Sequence, residues 1–536
     1  MKNDLAALRS HLPSSLPAYI RRCFTIDTRS LAVFRILAGV LIIADVLSRS
    51  RSFSFYYTDD GALPQSLAEL YTREHAVSVF FWTEDPTIIA ALFIIHALVG
   101  LILIFGYKTR WMLIISFIFV ISLDHHNPLN TSYADTLFRM LLFWAIFLPL
   151  GERWSIDALQ RDRAPRSAIA NVATAAIMIQ MVYMYFVNAL HKYGSDLWHS
   201  GESAIIVMGI DEMTFFLGDT MRNFPLFLQL GGRMWFYLLV TSPFLILLYG
   251  RARYPYILAL MGGHASFAIT VRIGAFPYVA ILGLITFLQP RFWADARAIL
   301  AVLGVNWFPD VIHADATRAG RFVADRIPGR LIEFPARDLL VRRTLSVLVI
   351  IAMIGVLVWP AVALTAETPY VQESPLPDDG PLDEMVNNWN VPQPTWSIFA
   401  GPDPRSTDRY YVFPAKTADG QIFDLRNERP MTYDRPGQEL QRQHSVYRER
   451  FYMNQIRRGG DRSTVVTEYA EYLCDKWYEE RGVELTNINM YEVRENITLE
   501  TIDTPEDREY WIFHIASHGC GDNPRQEFAT PEEFGE

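Results

Sequence analysis

Lys192 stands alone in the middle of the chain, with no other lysine between Lys108 and Lys416. It lies in the run Tyr185-Phe-Val-Asn-Ala-Leu-His-Lys-Tyr-Gly-Ser-Asp-Leu-Trp198. Helical spacing puts Tyr185, Asn188 and Lys192 on one face, at i, i+3 and i+7, so a phenol and an amide can approach the same amine. A desolvated lysine releases its proton more readily than one in water, which is what a general base near neutral pH requires. A lysine at a helix end can instead snorkel, lifting its charge to the lipid headgroups along an apolar stem. The stretch alone leaves both roles open.

Other reactive side chains lie further along. His264 sits in Met261-Gly-Gly-His-Ala-Ser-Phe, followed by Arg272-Ile-Gly-Ala-Phe-Pro-Tyr. The paired glycines allow two helices to close up or leave an opening for a ligand, and the histidine can bridge helices or shuttle protons. Asp135 and Arg139 are four apart, the spacing of an intrahelical ion pair. His514, His518 and Cys520 form a partial metal-ligand set, but no fourth ligand has fixed spacing and no metal site is assigned. A Cys474–Cys520 disulfide beside a strand end is the competing reading of that region.

These residues need an apolar scaffold. Of 536 residues, 51% are hydrophobic and 13% aromatic, yet the mean hydropathy is only +0.12, so a membrane part and a polar part are being averaged. Charge divides the chain in the same way. Through Ala366 there are 31 Lys+Arg and 25 Asp+Glu, against 17 and 33 from Glu367 onward. The tail is therefore acidic and soluble in character, and no basic stripe with interleaved aromatics points to nucleic acid.

The expected fold class is mainly α: a polytopic transmembrane helical bundle of about nine spans followed by a small α+β domain. The spans are Leu31–Leu47, Thr87–Phe105, Trp111–Leu123, Thr136–Leu150, Ala168–Leu190, Met234–Tyr249, Pro255–Val271, Gly274–Leu288 and Thr344–Ala366. The first contains Arg35 and Asp45 and lacks a small-residue cleavage site, so it reads as a retained anchor rather than a signal peptide. Arg21, Arg22 and Arg29 precede it, and basic loops recur at Lys108/Arg110, Arg161/Arg163/Arg166, Arg251/Arg253 and Arg291–Arg343. The positive-inside rule then places the amino terminus in the cytoplasm, and an odd span count places Lys192 and the tail on the extracytoplasmic face of a cell membrane. The expected segments are 1–30 (cytoplasmic), 31–290 (transmembrane bundle), 291–343 (basic, cytoplasmic), 344–366 (last helix), 367–383 (Pro/Asp-rich linker) and 384–536 (extracytoplasmic α+β domain). In the tail, Trp396-Ser-Ile-Phe and Arg409-Tyr-Tyr-Val-Phe read as strands, Thr417-Ala-Asp-Gly as a hairpin turn, Ser463–Glu480 as a helix, and 487–494 and 509–515 as strands. Cys474 and Cys520, both in this domain, are expected to pair outside the cytoplasm, leaving Cys23 free.

Laid out in order, the chain resembles the family of the horizontally transferred transmembrane (HTTM) domain, which includes the vitamin K-dependent gamma-glutamyl carboxylases. The resemblance rests on Tyr56-Tyr-Thr-Asp-Asp-Gly, Asn130–Tyr133, Trp154-Ser-Ile-Asp-Ala, Tyr185-Phe through Lys192 and Trp198, His264 with Ile273-Gly-Ala-Phe-Pro-Tyr-Val, and Tyr469-Ala-Glu-Tyr-Leu-Cys in the tail. It implies that Lys192 is the base acting on a reduced, vitamin K-like quinone. Oxygen and carbon dioxide would be the co-substrates, and glutamate side chains of a peptide at the extracytoplasmic face would be carboxylated. His264 and Asn188 would join Lys192 in catalysis, with Tyr185, Trp198, Tyr133 and Phe276 holding the quinone. One departure stands out: where the family's eukaryotic carboxylases carry a histidine just before this tyrosine, the chain has Thr131, with His125 and His126 earlier in the same loop. The competing reading is a non-catalytic membrane protein that binds a lipid or quinone and recognises a partner through its tail. A transporter is disfavoured by the lack of an internal repeat.

Overall fold

Long apolar runs without internal proline form the helices, and polar residues at their edges cap them. In the computed structural model, which describes residues 15–72, 76–304, 320–328, 339–358, 393–399, 403–437 and 439–534, helix α1 (Thr28–Ser50) starts where Asp27 accepts from the Arg29 N–H. Helix α2 (Pro86–Phe105) starts at the Asp85 cap with proline in its first turn, and it stops at Gly106, whose φ of 67° is left-handed. Helices α3 (Thr109–His126) and α4 (Tyr133–Ala145) follow, the latter with a Ser132/Asp135 capping box. Helix α5 (Val172–Lys192) opens on an Asn171/Thr174 box. Helices α6 (Glu202–Met208), α7 (Pro225–Val240), α8 (Tyr254–Thr270) and α9 (Phe276–Ile285) complete the bundle. Helix α10 (Leu339–Met353) runs into a π-helical turn at Ile354–Val358.

Each expected span overlaps a helix in part among the described residues, but α1, α2 and α5 are the three of these long and apolar enough to cross a membrane. The span expected at Met234–Tyr249 is displaced. Pro225 sets the first turn of α7, and the helix ends at Val240, before Pro243. The linker 367–383, residues 305–319 and 329–338 of the basic segment, and residues 359–366 of the expected last span lie outside the described residues. Helix α5 packs against α4, α7, α9 and α10. Helices α1 and α2 approach so closely that a Cβ on Gly39 would lie 2.6 Å from the Gly100 carbonyl oxygen.

The C-terminal region is built on an antiparallel sheet of β1 (Thr407–Val412), β2 (Pro414–Thr417), β3 (Ile422–Asp424), β4 (Arg429–Pro430), β5 (Leu485–Asn496) and β6 (Tyr510–Gly519). β5 is central, pairing with β1 and β2 along one edge and with β6 along the other. The Asp419-Gly420 turn joins β2 to β3, with Gly420 at a φ of 90°. Helices α11 (Glu449–Gly459) and α12 (Thr464–Arg481) accompany the sheet, and Cys474 in α12 is disulfide-bonded to Cys520 just past β6. That bond removes Cys520 from the partial metal-ligand set, while His514 is engaged with Ser517 at 2.9 Å.

Two local expectations are corrected. Trp396–Phe399 is not a strand: it is an irregular segment with Trp396 and Phe399 at positive φ, and its carbonyls accept from a helix side chain instead of a neighbouring strand. Asp135 and Arg139 do not pair with each other. Asp135, at the start of α4, meets Arg49 at 3.2 Å and Arg448 at 2.6 Å, whereas Arg139 turns to Asp124 on α3. Three acid–arginine contacts offered by tertiary neighbours outcompete the single local one.

Candidate functional site

The last two turns of α5 carry the site's polar groups. Lys192 and Asn188 are one turn apart, and Lys192 Nζ donates to Asn188 Oδ1 at 2.8 Å. Trp198, on the turn after α5, presents its ring 4.1 Å from the same nitrogen. Lys192 is only 3% exposed, and among the described residues no carboxylate lies within ion-pair distance of it. A snorkelling lysine would be exposed at its tip, so this side chain faces inward. Two turns deeper, the Tyr185 hydroxyl and His264 Nε2, from α8, are 2.8 Å apart.

These groups line one apolar cavity of about 400 Å³ between α5, α6, α7, α8 and the start of α9. Phe276, Trp235 and Phe267 supply aromatic walls, with Trp235 standing edge-on to His264 at 5.1 Å and Phe276 at 5.9 Å. The two readings of the glycine pair in α8 both hold, one for each residue. A Cβ on Gly263 would lie 2.4 Å from the Trp235 ring, so this glycine admits α7 closely. A Cβ on Gly262 would meet nothing within 4 Å, so this one leaves the cavity open. The loop that follows docks the C-terminal region: Arg272 donates to the His444 carbonyl at 3.4 Å, and Gly274, at a φ of 63°, leaves room for Tyr447.

Thus Lys192, Asn188, His264, Tyr185, Trp198 and Phe276 converge on the cavity, and Tyr133 does not. Tyr133 stacks on Trp396, centroids 5.7 Å apart, outside the lining. His125 and His126 are also elsewhere: His125 Nδ1 lies 2.9 Å from the Val77 carbonyl oxygen, and His126 stacks on Tyr57. Neither lines the cavity.

From the sequence alone, Trp396–Phe399 reads as a strand and the segment Gln393–Phe399 has no place at the site. Ile398 and Phe399 line the cavity, and the carbonyls of Trp396 and Ile398 accept from Asn188 Nδ2 at 2.6 and 3.2 Å. No local signal marks it, because its partners lie about two hundred positions earlier.

The HTTM domain model matches residues 24–293, half of the chain. The chain belongs to the HTTM-domain family. Among curated proteins and among solved structures nothing matches. The matched HTTM domain spans α1 to α9 and holds every polar group of the cavity, and with its apolar helices it marks a membrane protein. The wall formed by Ile398 and Phe399 comes from outside it.

Proposed function

We propose that this HTTM-domain protein is a membrane enzyme of the vitamin K-dependent carboxylase type, in which Lys192 takes a hydroxyl proton from a reduced quinone held in the cavity. The observation that carries this reading is the convergence of Lys192, Asn188 and His264 on one apolar cavity, where a merely anchoring lysine would point to lipid headgroups. The residues fit such a ligand. The walls are aromatic and aliphatic, and two buried ring nitrogens of lining residues, Trp198 Nε1 and His264 Nδ1, lack a protein partner among the described residues. Trp198 Nε1–H can only donate, and a ring oxygen accepts.

When bound and reduced, the quinone supplies the electrons for reaction with oxygen. The protein's part is positional and electrostatic. Lys192 Nζ accepts the proton, Asn188 Oδ1 and the Trp198 face hold the resulting ammonium, and Tyr185 with His264 furnishes a polar pair deeper in the cavity. The apolar walls exclude water from the reaction. Carbon dioxide is the second co-substrate, and the acceptor is a glutamate side chain of a peptide reaching the extracytoplasmic face. In this reading the short helices complete a multi-pass bundle of about nine spans, with the amino terminus cytoplasmic and the sheet-containing region outside.

The test incubates purified full-length protein with reduced quinone, oxygen, labelled bicarbonate and a glutamate-containing peptide, beside Lys192→Ala and Lys192→Arg. Arginine keeps a charge but does not deprotonate in this range, so both variants should insert normally and lose quinone-dependent turnover. Equal, background-level turnover in all three proteins would leave a non-catalytic lipid- or quinone-binding protein.

A further inference from the structure

We infer that Tyr133 is a positioning residue, which fixes the Asn188 amide, and through it the Lys192 amine, by holding the strap Gln393–Phe399 in place. This rests on Lys192 being the base, but it assigns Tyr133 a different part from quinone binding.

The strap is tied down on several sides. The Tyr133 hydroxyl lies 3.0 Å from Ser397 Oγ and 3.2 Å from Thr395 Oγ1, and its ring stacks on the fully buried Trp396. Gln393 joins Gln180 of α5 and donates to the Val356 carbonyl at 3.0 Å, while Trp396 Nε1 donates back to Gln393 at 2.9 Å. His191 Nε2 sits 2.6 Å from the Thr395 carbonyl oxygen. The tie at Tyr133 flanks Trp396 directly, on both the Thr395 and the Ser397 side.

The consequence is chemical. The two carbonyls of the strap take the amide hydrogens of Asn188, which leaves Oδ1 for Lys192. Flipping the amide would set its oxygen against two carbonyl oxygens and leave its NH2 facing the amine, so the strap decides which end of Asn188 the amine meets. A neutral lysine amine has two N–H bonds and one lone pair. With one N–H committed to Asn188 Oδ1 and the indole of Trp198 over the nitrogen, the lone pair is left for the cavity. A base that must meet a hydroxyl at a defined angle gains from this constraint.

The experiment is a double-mutant cycle on the full-length protein in nanodiscs: wild type, Tyr133→Phe, Asn188→Ala and the double variant, with unfolding temperatures measured in parallel. One readout is quinone turnover. The other is the rate at which an amine-reactive ester acylates Lys192, followed by peptide mass spectrometry, which needs no quinone. Tyr133→Phe is expected to lower kcat by about tenfold with KM for the quinone within about twofold, and to change the acylation rate by about threefold or more. Both effects should vanish in the Asn188→Ala background, since residues acting through one another are non-additive. Ser397→Ala removes the partner of the same hydrogen bond and must reproduce the pattern; it decides the matter if Tyr133→Phe unfolds. A raised KM at unchanged kcat would make Tyr133 a ligand contact and overturn the inference, as would effects of equal size in both backgrounds. If the wild type turns over no quinone, the enzyme reading fails, and the acylation cycle still settles the role of Tyr133.

Discussion

Arg448, at the start of α11, grips Asp135, at the start of α4, with both ends of its guanidinium: Nη1 to Oδ2 at 3.0 Å and Nη2 to Oδ1 at 2.6 Å. The same Nη2 reaches Asp45 of α1 at 2.6 Å. One arginine from the C-terminal region thus answers two carboxylates of the HTTM domain, in the planar two-pronged geometry that lysine cannot copy.

Removing that arginine should be costly. Arg448→Met would leave Asp45 and Asp135 short of positive charge in a buried network, a loss of about 3 to 5 kcal/mol for a broken buried pair, whereas Arg448→Lys should recover only part of it. Thermal unfolding of the purified protein in detergent would show this; a Met variant as stable as wild type would mean that the network contributes nothing.

The neighbouring Glu449 predicts an acid response. Burial pushes its carboxyl up, but Arg426, His444 and Ser445 outweigh that and hold it at about 2, below the roughly 4.3 of an unfolded glutamate. A depressed carboxylate stabilises the fold above its unfolded value, and that contribution drains away as pH falls toward the folded one. Stability should therefore drop between about pH 4.5 and pH 2, with a shallower slope in Glu449→Gln than in wild type. Parallel acid slopes would count against it.

The Cys474–Cys520 bridge closes a separation of 46 residues, which in the chain-entropy model contributes about 3 to 4 kcal/mol to the domain that contains it. Alkylation under denaturing, non-reducing conditions should label Cys23 alone, and Cys474→Ser should unfold at a lower temperature with reductant having no further effect. Three alkylated cysteines in protein from its native membrane would reject the bridge.

The adjacent glycines of α8 should answer oppositely to the same change. Gly263→Ala drives a methyl into the Trp235 ring at 2.4 Å and should cost about 1 to 3 kcal/mol, as overpacking does. Gly262→Ala meets nothing and should be neutral or stabilising by up to about 1 kcal/mol, since alanine is the better helix former. Gly262→Leu would instead occupy the cavity and raise KM for its ligand without touching a polar group. Equal stability losses at the two positions would contradict the placement of the cavity.

Much of this architecture is readable one residue after another, because helices and hairpins are written in local periods. The apolar run of α5, the spacing that brings Asn188 under Lys192, the Asp419-Gly420 turn and the change of charge toward the tail all depend on near neighbours in the chain. Membership of the HTTM family is legible in the same way, from motifs in order. What the order of residues does not encode locally is which faces meet. Tyr185 finds His264 79 positions away, Asn188 finds the Trp396 carbonyl 208 away, and Arg448 finds Asp135 313 away. Asp135 and Arg139 look like partners on a helical wheel, yet each is drawn to a charge that packing brings closer. Trp396-Ser-Ile-Phe has a strand's composition, but its carbonyls are claimed by Asn188, so it becomes the wall of a cavity. The sequence by itself determined the helices and the chemistry each could carry; the tertiary structure alone decided which of those groups share an apolar cavity and which, like Tyr133, pack against the segment beside it, because burial and long-range hydrogen bonding are properties of the packed chain.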